Sequence, residues 1–148
     1  MESSTQVSWE IYTDGSYRDG KASWAFILVV QPQDQVCHEA SGIVEDEEAV
    51  KQMWNVAGEI EAATRAIKYA VETDTTITLI SDYQGIQGWA TDWKANNPWT
   101  QAYAEYARQH ENKISEFKFV KGHSKNKWNT YVDELAYKRL SLQEDYGK

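Results

Sequence analysis

Ala22–Val30 limits what this chain can become more than any other stretch. Trp24, Phe26, Ile27, Leu28, Val29 and Val30 crowd into it, with neither a helical nor an alternating period. A run of this kind reads as a β-strand buried on both faces or nearly so. It is also far shorter than the roughly 20 apolar residues a membrane span needs. Its neighbours fit that reading. Before it, Val7, Trp9, Ile11 and Thr13 alternate with the period of two of a half-buried strand. After it, Gln31–Asp34 contains Pro32 and predicts a hairpin turn, and Gln35–Val44 returns as a third strand. Three strands with short links make an antiparallel meander.

From Asn55 the period becomes 3.6, with Val56, Ile60, Ala63, Ile67 and Ala70 on one stripe. Gly58 lies inside that helix at a cost of about 1 kcal/mol, a sign that something approaches the backbone there. Thr75–Ser81 is β-branched and follows a helix, which predicts a strand parallel to the first. Ile86, Trp89, Ala90 and Trp93 predict a short helix. Asn97 and Pro98 suit the cap and first position of the next one. Ile114–Val120 reads as a fifth strand. A last helix carries Trp128, Val132, Leu135 and Ala136, with Asn129 as its expected cap. The class is α/β, with a five-stranded mixed sheet, three antiparallel strands followed by two parallel ones, flanked by helices.

At 148 residues the chain predicts one domain, residues 1–148, with 1–6 and 143–148 as flexible tails. Cys37 is the single cysteine, so folding does not depend on an oxidising compartment. No stretch reads as a signal peptide or a membrane span, which makes the cytoplasm the expected location. The net charge of −8 argues at first against a polyanionic partner. The distribution softens that. Residues 1–60 hold 11 acids against 3 bases, whereas 113–127 hold five lysines against Glu116 alone. A basic strip on an acidic body is compatible with nucleic acid, although a charge run is commonly just a solvated face.

Four acids stand at the ends of regular elements: Asp14 after the first strand, Glu59 bordering the apolar stripe, Asp82 after the fourth strand and Asp133 in the last helix. The Asp14-Gly15 pair alone is an ordinary hairpin signal, with Ser16–Lys21 as the turn. Together the acids suggest something else. Ligand sites in α/β sheets lie off the carboxyl ends of strands. Phosphodiester hydrolysis by two divalent ions needs hard oxygen ligands and no His or Cys.

The motifs carry a resemblance. Y-T-D-G-S at 12–16, N-V-A-G-E at 55–59, S-D-Y-Q at 81–84 and V-K-G-H-S-K-N-K-W-N-T-Y-V-D-E-L-A at 120–136 resemble the bacterial type I ribonuclease H family in order and spacing. That resemblance implies a ribonuclease H-like fold and a monomer with no obligate protein partner. It implies an endonuclease that hydrolyses the RNA strand of RNA–DNA hybrids, leaving 5′-phosphate and 3′-hydroxyl ends. Two Mg²⁺ ions, with Mn²⁺ as a substitute, would be held by Asp14, Glu59, Asp82 and Asp133. His123 would assist proton transfer or release of product and metal. Asn55, Gln84, Ser16, Lys121 and Lys94 would contact substrate.

The match has gaps. Ser16–Lys21 lacks the Asn- and Gly-rich stretch of the family, and the Trp89–Trp99 segment, in the place of a basic protrusion, offers only Lys94 beside Asp92. Its tryptophans are expected in the core. Two other readings stay open: a nuclease of similar fold acting on DNA, as in integrases and resolvases, or a binding module without catalysis.

Overall fold

A computed structural model describes residues 6–122 and 125–146, with the side chains of 143–146 left aside. Residues 1–5 and 147–148 of the expected tails, and His123, lie outside the described residues.

The elements run β1 (Ser8–Arg18), β2 (Lys21–Gln31), β3 (Gln35–Ile43), α1 (Glu47–Met53), α2 (Asn55–Glu72), β4 (Ile77–Ser81), α3 (Gly85–Thr91), α4 (Pro98–Gln109), a 3₁₀ turn (Glu111–Lys113), β5 (Ile114–Phe119) and α5 (Lys127–Tyr146). The strands form one sheet in the order β3-β2-β1-β4-β5. β1 pairs antiparallel with β2 and parallel with β4, and β4 pairs parallel with β5. This is the expected mixed sheet. Among the described residues, no helix is long and apolar enough to cross a membrane.

Alternation along the central strands divides the core into two layers. Ile11, Trp24, Phe26 and Leu28 pack with Ile60, Ala63 and Ile67 of α2 and with Tyr103 of α4. Tyr12, Ala25, Ile27, Val29 and Ile80 face Val132 and Ala136 of α5. Because both layers are filled, β2 is buried along nearly its whole length, as its composition predicts. Fully buried Ile11, Ile27 and Ile67 contribute on the order of 2 kcal/mol each.

Two local expectations are corrected. β1 does not end at Asp14 but pairs with β2 through Arg18, so Ser16–Lys21 is mostly strand. The turn sits at Asp19–Gly20, whose φ values of 53° and 80° are the positive pair a two-residue hairpin needs. Nor does Asn129 cap the last helix. Asn126 does, its Oδ1 accepting from the backbone N–H groups of Trp128 and Asn129 at 3.1 and 2.9 Å. Asn97 caps α4 as expected, closing a reciprocal capping box with Thr100 ahead of Pro98.

The tryptophans divide. Trp89 and Trp99 pack against the core, while Trp93 stays exposed. Trp99 Nε1 also donates to Asp46 Oδ2 at 2.8 Å, tying α4 to the cap of α1.

Candidate metal centre

Two glycines set the site. Asp14 lies in mid-strand with Gly15 after it, and α2 crosses there so closely that a Cβ on Gly15 would stand 2.5 Å from the Glu59 nitrogen and the Gly58 carbonyl carbon. A Cβ on Gly58 would run into the carbonyl oxygen of Ser23 on β2. The first turn of α2 therefore rests on bare backbone of β1 and β2, which brings Glu59 to Asp14. The close approach expected from Gly58 is observed.

The other two acids arrive by different routes. Thr13 faces Ser81 in the parallel β1–β4 register, which leaves Asp14 and Asp82 at adjacent strand positions. Thr13 Oγ1 donates to the Ile80 carbonyl across that pair at 3.4 Å. Gly122, after β5, lies beside the Asp82 carboxylate. α5 is fastened to β2 by Ser23 Oγ donating to the Ala136 carbonyl at 2.7 Å. One turn earlier on that helix, Asp133 reaches the same cleft.

Carboxylate oxygens of Asp14, Glu59 and Asp82 all lie within 4.8 Å of one another. Asp133 is outside that tight group. It is exposed, hydrogen-bonded to Asp14 and on the rim of a cavity of about 280 Å³ shared with the other three. Asp14 and Glu59 are only 3% and 5% exposed.

Burial and crowding make the charged forms costly. Burial first, then the charge of Asp82 and the bond to and charge of Asp133, push the Asp14 carboxyl up to about 9. The Gly15 N–H, donating to Asp14 Oδ1 at 2.9 Å, works the other way. Glu59 is pushed well above the usual carboxylate range by burial, and further by Asp14 and Asp82. One of its oxygens, Oε1, is buried with no hydrogen-bond partner among the described residues. An orphaned oxygen in a nest of carboxylates is what a hard dication requires, and the donor set is oxygen alone. These residues fit a divalent metal.

Asn129 belongs to this site. It is 4% exposed, lines the acidic cavity, and its Oδ1 has no hydrogen-bond partner among the described residues. The signal was its spacing, four residues before Asp133, which puts both on one helical face.

The expected substrate contacts spread more widely. Ser16 is half-buried on β1, two residues beyond Asp14 and so on the same face of the strand. Asn55 is the exposed first residue of α2, and Gln84 is exposed at the start of α3; neither makes a side-chain capping bond. Lys121 is exposed next to Gly122. Lys94 lines a separate cavity with Trp93 and Arg108. Arg108 is the base missed in that region, but it holds the end of α3 by donating to the Trp89, Ala90 and Thr91 carbonyls at 3.2–3.5 Å. Of the lysines at 113–127, Lys113 pairs with Asp74, and Lys127 pairs with Asp34 and lies over the Trp128 ring. Lys118, Lys121 and Lys125 have no partner among the described residues.

Comparison with known proteins points one way. A family model described as RNase H matches residues 6–141. Ribonuclease H of Treponema denticola is 30% identical over 157 aligned residues, covering 86% of this chain and 93% of that protein. The N-terminal RNase H domain of a Mycobacterium tuberculosis protein shares the fold with a TM-score of 0.75 at 17% identity, covering 97% of this chain and all of that one. LC11-RNase H1, isolated from compost by a metagenomic approach and solved in complex with an RNA/DNA hybrid, gives 0.71 at 17% identity, covering 92% and 99%. With the match spanning most of the chain and the acids gathered at the strand ends, the chain belongs to the RNase H family.

Proposed function

We propose that the protein is an endonuclease that hydrolyses the RNA strand of RNA–DNA hybrids, leaving 5′-phosphate and 3′-hydroxyl ends. The observation that carries this reading is the convergence of Asp14, Glu59 and Asp82 within 4.8 Å, with Asp133 on the rim. Family membership and the hybrid bound to LC11-RNase H1 support the choice of substrate.

Two Mg²⁺ ions bound here, or Mn²⁺ in their place, would supply an activated water and relieve the charge growing on phosphorus. Asp14 would be shared between both positions, since it touches the other acids and is held at one oxygen by the Gly15 N–H. Asp133, on the exposed side, would serve the position open to solvent. Glu59 and Asp82 would serve the deeper one. Glu59 would also meet a ribose 2′-hydroxyl, which distinguishes RNA from DNA. His123 would move a proton or help release product. Asn55, Gln84, Ser16 and Lys121 would position the hybrid, with Lys94 reaching its second strand. The reading includes a monomer acting in the cytoplasm, and the unpaired Cys37 suits a reducing compartment.

Labelled hybrid, double-stranded DNA and double-stranded RNA, each incubated with and without MgCl₂, test this. Cutting of the hybrid alone, and only with metal, is the expected result. Cutting of duplex DNA, or binding of hybrid without cutting, would overturn it.

A further inference from the structure

A further cavity, of about 710 Å³, is within the usual range for a site that takes a small organic group. The β1–β2 hairpin forms one wall, the end of β3 and α1 another, and the junction between α1 and α2 the third. Two exposed aromatic side chains line it, Tyr17 and Trp54. Lys21 and Lys51 line it too, as do Glu45 and Glu47. The cavity is continuous in sequence with the active site on both sides. Tyr17 follows Asp14 by three residues on β1, on the α2 side of the sheet, and Trp54 immediately precedes Asn55 and the turn of α2 that carries Glu59.

Trp54 is unusual in two respects. The residue is 58% exposed although it carries the largest apolar side chain available. Its backbone stands at φ 52°, ψ −124°, a conformation that suits glycine and costs other residues about 1–3 kcal/mol. That backbone ends α1, its N–H donating to the Val50 carbonyl at 2.8 Å, and opens α2, while the side chain it carries is left largely exposed. The junction accounts for the backbone; the exposed ring, one residue before Asn55, is accounted for by a ligand contact.

The lining chemistry narrows the ligand. Two lysines against two glutamates leave the cavity without net charge, which does not suit the phosphate-rich flank of a duplex. Aromatic rings stack on base faces, and a base face is available only when the nucleotide is unpaired. Carboxylates accept hydrogen bonds, and a ribose offers a 2′-hydroxyl donor that a deoxyribose lacks. From this juxtaposition we infer that the Tyr17–Trp54 cavity holds an unpaired ribonucleotide of the RNA strand, next to the hybrid in the catalytic cleft. The inference rests on the hybrid-nuclease reading. It extends that reading to substrates whose RNA runs beyond the paired region.

The test measures binding by fluorescence anisotropy, in the Asp14→Asn background so that substrate stays intact. Three labelled hybrids are compared: blunt, with a single-stranded RNA overhang, and with a DNA overhang. The RNA overhang is expected to tighten binding roughly tenfold over the blunt hybrid, the size of one stacked base. Trp54→Gly removes the ring and relaxes the backbone together. It should abolish that gain, leave blunt-hybrid affinity unchanged and leave the melting temperature no lower. Tyr17→Ala should lose part of the gain. Equal affinity for all three hybrids would overturn the inference, as would an equal gain from a DNA overhang or a Trp54→Gly effect that is the same on blunt and overhanging forms. Failure of the nuclease reading looks different: the unmutated protein would then not cut even the blunt hybrid.

Discussion

Removing or supplying divalent metal should change the stability of this protein in a way that depends on pH with a definite sign. Three carboxylates lie within 4.8 Å of one another. At that separation and an effective dielectric of about 20, each pair of charges repels by about 3.5 kcal/mol. Three pairs make roughly 10 kcal/mol, as large as the whole stability of many domains, about 5–15 kcal/mol. Solvent at half-buried Asp82 trims the figure without changing the conclusion. The metal-free cluster must keep a proton, in line with Asp14 being pushed up to about 9 from 3.8. The folded state then binds a proton that the unfolded chain has already released. Between about pH 4 and pH 9 the metal-free protein loses stability as pH rises. A dication competes with that proton, so its benefit grows over the same interval. At about pH 8 and a metal concentration one hundred times the dissociation constant, the gain is about 2.7 kcal/mol. For a chain of this size that raises Tm by roughly 5–10 °C. Differential scanning fluorimetry with EDTA, MgCl₂ and MnCl₂ at about pH 5.5 and 8 measures it. A Tm unmoved by saturating metal, or a shift larger at the acidic pH, would refute the reasoning. So would an undiminished shift in Asp14→Asn, which also should be more stable than the parent without metal.

Four further outcomes are expected. Asp14→Asn, Glu59→Gln and Asp82→Asn should each abolish hybrid cleavage while keeping the native circular dichroism spectrum; retained cutting would reduce that acid to a structural residue. Gly58→Ala should destabilise the fold by more than about 2 kcal/mol in urea denaturation, because its Cβ meets the Ser23 carbonyl and no flexible side chain can yield; an unchanged midpoint would disprove the backbone contact. Asn126→Ala should lose about 1 kcal/mol of stability as a lost cap. Asn129→Ala, by contrast, should lower cleavage with little loss of stability, since Oδ1 forms no bond to be broken; the reverse pattern would restore Asn129 as the cap.

Much of this molecule was readable before any coordinates. Period two at Val7–Thr13, the unbroken apolar run of β2 and period 3.6 from Asn55 are direct prints of burial, and burial decided each of those elements. The acids were legible for a related reason. A charged residue bordering an apolar stripe, as Glu59 does, must be buried or functional, and here it is buried. What failed was local and depended on partners. Asp14-Gly15 and Asp19-Gly20 are the same dipeptide, and only pairing with β2 decides which one turns. Asn126 and Asn129 could both cap one helix. Burial of the second against the carboxylates, a tertiary fact, separates them. Trp54 carried no signal, since neither α1 nor the sharp junction between α1 and α2 leaves a periodic print in the sequence.

The clasp between Ser23 and Ala136 has a consequence for synthesis in the cell. A nascent chain that has emerged as far as β5 contains all five strand segments and Asp14, Glu59 and Asp82, but Tyr12, Ile27, Val29 and Ile80 still lack the helix that covers them. It still lacks Asp133 and the helix that closes over one face of the sheet. On the proposed role of Asp133, hydrolytic competence would arrive late in translation, when α5 docks, and a product terminated before that helix would keep three clustered acids and lack the fourth.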